Sequence, residues 1–213
     1  VASENYGRKF FPEMNLEGVD TLDRFKLHPG KRTVYLSLIE CVKSFLIPEV
    51  DSISSATMPA NSLHFEHMLK QACEESVTYR GGIVIDREIE ILSRFSTKDV
   101  KIWTPMYFDL FNLSKSELVD MFLPHDIIWL DFMCLFTTRY YNLLDVIIKS
   151  ATGTFIVAFT VYHGRGKQHC DDPAKHIISN SGSYYNITEM ASVRYQSFTG
   201  TRMSTYILGV KSK

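Results

Sequence analysis

Glycine is scarce where phosphate-binding loops concentrate it. The chain has 213 residues and 11 glycines, and no GxGxxG or GxxxxGK[ST] cradle occurs. That absence argues against triphosphate chemistry and against an ordinary dinucleotide dehydrogenase, both of which need bare backbone against phosphates. Cysteine is sparse as well: Cys41, Cys73, Cys134 and Cys170 are widely spaced and form no CxxC pair. A disulfide scaffold is thereby disfavoured, and a reduced intracellular compartment, cytoplasmic or nuclear, is expected. No apolar run reaches the roughly 18 residues of a membrane span, so no membrane partner is expected. Positive charge is not in excess either, since the formal net charge is -1. This weakens a non-specific nucleic-acid or membrane-surface role while leaving room for a local basic patch. The start, Val1-Ala-Ser-Glu-Asn5, lacks a basic region followed by an apolar segment, and Val1 in place of methionine points to a fragment or a processed product. A GxSxG elbow is missing, which removes the argument for a Ser-His-Asp triad.

What is present is led by Asp126-Ile-Ile-Trp-Leu-Asp131-Phe132. An acidic residue opens a short apolar run and a second carboxylate closes it, the pattern of a strand buried on both faces. Ligands in open α/β sheets bind beyond the carboxyl ends of such strands, which makes Asp131 the first residue to examine for chemistry.

The rest of the chain alternates. Residues 1–31 are polar and broken by Pro12, Gly18, Pro29 and Gly30, and are expected to form an arm or leader; 32–213 are expected to form the domain. Tyr35, Leu38, Ile39, Val42, Phe45 and Leu46 repeat at helical spacing until Pro48. A weak strand over 50–56 follows, then a helix capped by Asn61 with Phe65, Met68, Leu69 and Ala72 inward. Gly82–Asp86 is a second strand, followed by a helix over 88–95. A third strand is expected over 100–104, ending at Pro105. Ser114 and Glu117 have capping-box spacing for a helix through Met121. Tyr140, Tyr141, Leu143, Leu144, Ile147 and Ile148 mark another helix, closed by Gly153. Thr154–Val161 is a fifth strand and Pro173–Ser179 a short helix. Strands over 188–197 and 203–210 form a hairpin around Gly200. The expected fold is α/β, a three-layer sandwich with a mostly parallel seven-stranded sheet ending in an antiparallel hairpin.

This order of elements, with acidic residues at strand ends, resembles the class I S-adenosylmethionine-dependent methyltransferase superfamily, whose Rossmann-like sheet receives an antiparallel seventh strand through a carboxy-terminal hairpin. The resemblance covers roughly residues 32–213. It implies S-adenosylmethionine as cofactor. Asp86 is similar to the family's ribose-binding carboxylate, a group with acceptors only and able to take both hydroxyl protons. Tyr107-Phe108-Asp109 falls where the family places an acidic residue near adenine, and Asp131 where it holds the methionine moiety and the acceptor. Thr57 and Pro59 are implied near the methionine half, with Glu66 as a substitute carboxylate and Arg87 beside the ribose. The departure is the first loop, Ser55-Ala-Thr57-Met-Pro59-Ala60-Asn61, which has no glycine. Asn-Pro-Pro-Tyr and Asp-Pro-Pro-Tyr are also absent, which disfavours adenine N6 methylation.

Simpler roles compete with these. Asp131 could cap the helix near Thr137, and Asp86 could pair with Arg87 or Arg94. After the fifth strand, Tyr162-His163-Gly164-Arg165-Gly-Lys167 offers His163 as a general base, with Tyr162 beside it, and Arg165 with Lys167 as phosphate ligands. The competing reading is a solvated basic loop. With Arg139, Tyr140 and Tyr141 the segment could instead wall an RNA or DNA strand. Arg194 and Arg202 flank the hairpin and read as solvated ends. His163, His169, Cys170 and His176 match no familiar zinc spacing, so no metal is expected. Cys134 reads as packing. The leading expectation is a methyltransferase with catalytic candidates Asp131, His163 and Tyr162 and an RNA or DNA acceptor. The alternative is a catalytically inactive domain of the same fold, binding other proteins in a larger assembly. The divergence is compatible with a viral origin.

Overall fold

The computed structural model describes residues 29–58, 63–74, 76–93, 95–132, 134–164, 170–182, 184–197 and 200–213. The described chain opens with helix α1 (Pro29–Cys41), which runs on through a π-turn at Val42–Leu46 and a 3-10 turn at Ile47–Glu49. Next come β1 (Ser52–Thr57), α2 (His64–Glu74), β2 (Thr78–Asp86), α3 (Ile89–Leu92), α4 (Thr97–Val100) and β3 (Trp103–Tyr107). A 3-10 turn at Leu110–Asn112 leads to α5 (Lys115–Phe122), β4 (Ile127–Leu130), α6 (Thr138–Ser150) and β5 (Thr154–His163). The chain ends with α7 (Pro173–Ser181), β6 (Tyr185–Gln196) and β7 (Arg202–Ser212).

The seven strands form one sheet in the order β3-β2-β1-β4-β5-β7-β6. β1 to β5 pair in parallel, whereas β7 runs antiparallel between β5 and β6. The order reverses between β1 and β4, and the carboxyl ends flanking such a reversal are where open α/β sheets bind ligands. All four residues of β4 are buried, as a central strand covered on both faces requires. Ile128, Leu130, Phe155, Val157 and Phe159 pack towards α5, α6 and α7. Ile127, Trp129, Ile156 and Ala158 pack towards α1 and α2 on the opposite face. The result is the expected three-layer sandwich, and among the described residues no helix is long and apolar enough to cross a membrane.

Local chemistry sets several boundaries. Ser114 and Glu117 form the anticipated capping box, each satisfying an amide of the other's end of the turn. Gly82 lies where β2 runs closest to β1: a Cβ there would stand 1.9 Å from the Ser55 carbonyl oxygen.

Five expectations are corrected. Val100 belongs to α4, because Ser96 and Asp99 build a second capping box there, and β3 begins only at Trp103. β3 also runs through Pro105 to Tyr107; at the sheet edge one side of its backbone is unpaired, so a missing N–H is tolerated. The helix expected over 88–95 is α-helical only at Ile89–Leu92. Helix α6 ends at Ser150 on its Ala151 cap, and Gly153, at φ 81°, serves the turn into β5. Pro29 and Gly30, expected in an arm, are the first turn of α1, with proline at the one helical position where a lost amide costs nothing. The remainder of the expected arm, 1–28, and the expected cap Asn61 lie outside the described residues.

Candidate functional site

β1 delivers Thr57 to the reversal point, and its hydroxyl donates to Glu66 Oε1 in the first turn of α2. Glu66 is completely buried, and its Oε2 has no hydrogen-bond partner among the described residues. Burial pushes its carboxyl up to about 7, against the Thr57 hydrogen bond, and the charge of Asp131 adds to the effect.

β4 delivers Asp131. Its Oδ2 accepts from Lys31 Nζ in the first turn of α1, while Oδ1 is buried with no hydrogen-bond partner among the described residues. The two side chains are 15% and 4% exposed, so this is a buried ion pair. Lys31 lies over the rings of Trp129 and Tyr195, 5.3 and 5.8 Å from their centroids. Burial works to lower the lysine's pKa, but Asp131 and Tyr195 outweigh it and hold the ammonium above its usual value. Burial also raises the Tyr35 phenol beside this group. Farther along the same layer, Thr160 and Thr205 exchange a hydrogen bond of 2.9 Å beneath α1. A buried polar belt thus crosses the sheet under an otherwise apolar helix.

β2 ends at Asp86, a half-buried carboxylate whose Oδ1 accepts from the Glu88 amide at 2.8 Å. Burial raises its pKa. Arg87 is exposed beside it, yet forms no ion pair with Asp86 among the described residues. Arg94, the other expected partner, lies outside the described residues. β3 ends at Tyr107 and Phe108, 57% and 37% exposed, and the Phe108 amide donates to the Asp86 carbonyl at 3.1 Å. These two strand ends are therefore joined. Asp109 caps the next turn, accepting from the Phe111 amide at 3.1 Å and Asn112 Nδ2 at 3.0 Å.

The structure does not bring all the candidates together. Asp131 lies under α1, whereas His163, directly opposite Arg202, continues the row of Phe159 and Val161 that faces α6. His163 Nε2 is 2.8 Å from Ser204 Oγ, and burial, followed by Arg194 and Arg202, lowers its pKa. The Tyr162 amide donates to the Cys134 carbonyl at 2.9 Å, tying the segment after β4 to the end of β5. Pro59, Arg165, Lys167 and His169 lie outside the described residues. No metal-binding group of histidine, cysteine or carboxylate side chains occurs among the described residues. The helix cap near Thr137 is made by Thr137 itself, leaving Asp131 free of that task. One member of the expected nucleic-acid wall is corrected. Tyr140 is fully buried among Phe111, Phe132, Phe136 and Phe159, where no base could stack on it, and its hydroxyl donates to the Thr160 carbonyl at 3.0 Å. Arg139 is engaged by the Phe111 carbonyl and Asn112.

Lys31 was not anticipated, Tyr35 was read only as part of the helix face, and Tyr195 only as part of the solvated hairpin end beside Arg194. A signal existed: residues 31, 34, 35 and 38 have the i, i+3, i+4, i+7 spacing of one helix face, which extends the apolar stripe back to Lys31.

No protein-family model and no curated sequence matches this chain. Solved structures do. The N-methyltransferase NodS from Bradyrhizobium japonicum WM9 superposes with a TM-score of 0.56 at 15% identity, covering 87% of this chain and 98% of that one. Its complex with S-adenosyl-L-homocysteine gives 0.55 at 14% identity, covering 97% and 96%. An rRNA methylase from Streptococcus thermophilus gives 0.52 at 11% identity, covering 86% and 96%. At such identities the likeness is one of fold. The chain has the Rossmann-like fold of class I S-adenosylmethionine-dependent methyltransferases.

Proposed function

We propose that this chain is an S-adenosylmethionine-dependent methyltransferase. The observation that carries the reading is a pair of buried carboxylates at the strand-order reversal, Glu66 and Asp131, each with one oxygen unpartnered among the described residues. Buried carboxyl oxygens without partners are costly, and a cationic ligand offsets that cost, at Glu66 by favouring loss of the proton that burial retains up to about 7. S-adenosylmethionine carries both a sulfonium and an ammonium, so the donor set fits it. Asp86 would accept from the ribose diol with its second oxygen, and Phe108 and Asp109 would border adenine, with Arg87 at the edge. Thr57, Pro59 and Glu66 would surround the methionine end, and Asp131 would lie nearest the transferred group. When bound, the cofactor supplies a methyl group activated by its positive sulfur. The protein's share is alignment and exclusion of water, which α1 and its Lys31–Asp131 contact would provide. His163 and Tyr162 stand on the acceptor side of this scheme, and the acceptor would be RNA or DNA. The domain would comprise 32–213 with the first turn of α1, acting inside the cell.

A second reading rests on one contact. Lys31 already places an ammonium on Asp131, as expected if the site has been filled by the protein itself and the fold retained as a binding module in an assembly. Calorimetric titration with S-adenosylhomocysteine separates the two. The enzyme reading expects micromolar binding, weakened at least about tenfold, or 1.4 kcal/mol, in Asp86→Ala. Absence of binding at millimolar ligand would leave only the module.

A further inference from the structure

The C-terminal hairpin carries a cluster of positive charge that the cofactor site does not use. In β7, Arg202 stands opposite His163 of β5 and Gln196 of β6, while Ser204 stands opposite Arg194 of β6. Cross-strand partners share a face, and so do positions two apart on one strand. Two guanidiniums, an imidazole and a hydroxyl therefore lie together on three adjacent strands, at the carboxyl end of β5. His163 and Ser204 are in contact at 2.8 Å, which fixes the imidazole in the group. Arg194, Arg202 and His163 are all exposed. Neither arginine has an ion-pair or hydrogen-bond partner among the described residues.

Arg194 and Arg202 are diagonal neighbours across the β6–β7 pair, a separation that long side chains can span. Burial lowers the His163 pKa, and the charges of Arg194 and Arg202 lower it further. A chain with net charge -1 draws no polyanion by its overall field, so this local cluster must act by contact. Two guanidinium forks on separate strands suit a tetrahedral anion with several acceptor oxygens better than a planar carboxylate, which one fork satisfies. Small molecules favour concave sites, whereas exposed strand ends at the rim of the sheet suit an extended polyanion that gains from repeated contacts.

We propose that Arg194 and Arg202, with His163 held in place by the buried Ser204 hydroxyl, form a phosphate-binding subsite for a single-stranded nucleic acid. That the strand is also the methyl acceptor rests on the reading given above; the subsite itself does not.

The test is fluorescence anisotropy of a labelled single-stranded RNA with the full chain, across a salt series and without cofactor. Arg194→Gln and Arg202→Gln are exposed substitutions expected to leave the melting temperature unchanged. Each should weaken binding and flatten the dependence of log K on log salt by about 0.7, the loss of one neutralised phosphate. Together they should weaken binding by about tenfold or more, a loss equivalent to about 1.4 kcal/mol. An unchanged affinity and slope in both variants would overturn the subsite. Displacement of the RNA by adenosine monophosphate at equal phosphate concentration would overturn the strand as its occupant, and equal binding of polyglutamate would overturn the preference for phosphate. S-adenosylhomocysteine titration of the unsubstituted chain keeps the failures apart: cofactor binding without RNA binding sinks the subsite alone, whereas RNA binding that both variants lose, without cofactor binding, sinks the methyltransferase reading alone.

Discussion

Glu66 is a carboxyl group at 0% exposure with an ordinary value of 4.5 and a folded value of about 7. Between those two pH values the folded chain holds a proton that the unfolded chain has lost. The stability this residue contributes is therefore fully present below about 4.5 and is lost as pH rises through about 7. Linkage sets the slope at about 1.4 kcal/mol per pH unit inside that window. His125 works in the opposite direction. Burial lowers its pKa from 6.5 to about 4, so its contribution is lost as pH falls through that range. The raw stability profile mixes the two, but subtracting the profile of Glu66→Gln isolates the carboxyl. Urea unfolding at a series of pH values should show wild type losing stability relative to the variant between pH 4.5 and 7. Parallel profiles would mean that Glu66 is ionised in the fold, and the case for a vacant acceptor oxygen would weaken with it.

At the scale of elements, α1 is held to the sheet by apolar packing and by one buried ion pair. Val34, Tyr35, Leu38 and Ile39 supply the packing, and Lys31–Asp131 the charge. Removing one partner of such a pair leaves an uncompensated buried charge, at a cost of about 3–5 kcal/mol. Lys31→Met should lower the unfolding free energy by that order. Adding Asp131→Asn should restore much of it, because no buried charge is then left; denaturant titration of the two singles and the double measures the coupling. Two additive losses would place the lysine outside the pair. This element also shows what the sequence could not disclose. Pro29-Gly30 reads as loop punctuation, yet proline suits the first helical position and Gly30 is packed so closely on Tyr195 that a Cβ would stand 2.6 Å from its side chain. That contact joins residues 165 positions apart in sequence, as seen from their numbers, and no local pattern announces it. The β4 run was legible because a strand buried on both faces has an unbroken apolar signature, whereas β3 was misplaced because Pro105 breaks the signature where an edge tolerates it. The strand-end carboxylates Asp86 and Asp131 could be placed from the sequence, but whether their oxygens are spoken for depended on groups supplied by distant helices and turns.

The whole molecule gathers its candidate groups by strand order. β2, β1 and β4 are consecutive neighbours, so Asp86, Thr57 and Asp131 reach one edge of the sheet from three separate stretches of sequence. α2 brings Glu66 to the same edge and α1 brings Lys31. A ligand seated across these ends would touch two layers of the sandwich at once, and its binding would be felt by the global unfolding transition. At a concentration 100-fold above its dissociation constant, a ligand specific to the folded state adds about 2.7 kcal/mol. For a chain of 213 residues, each kcal/mol moves the melting temperature by about 2–4 °C. Saturating S-adenosylhomocysteine should thus raise the melting temperature by roughly 5–10 °C. Asp86→Ala should remove most of that rise, while Arg194→Gln and Arg202→Gln should keep it, since the hairpin cluster lies apart from the Asp86 edge. If the scan shows no rise at any ligand concentration, Lys31 is the permanent occupant of the Asp131 carboxylate, and the fold serves a purpose other than methyl transfer.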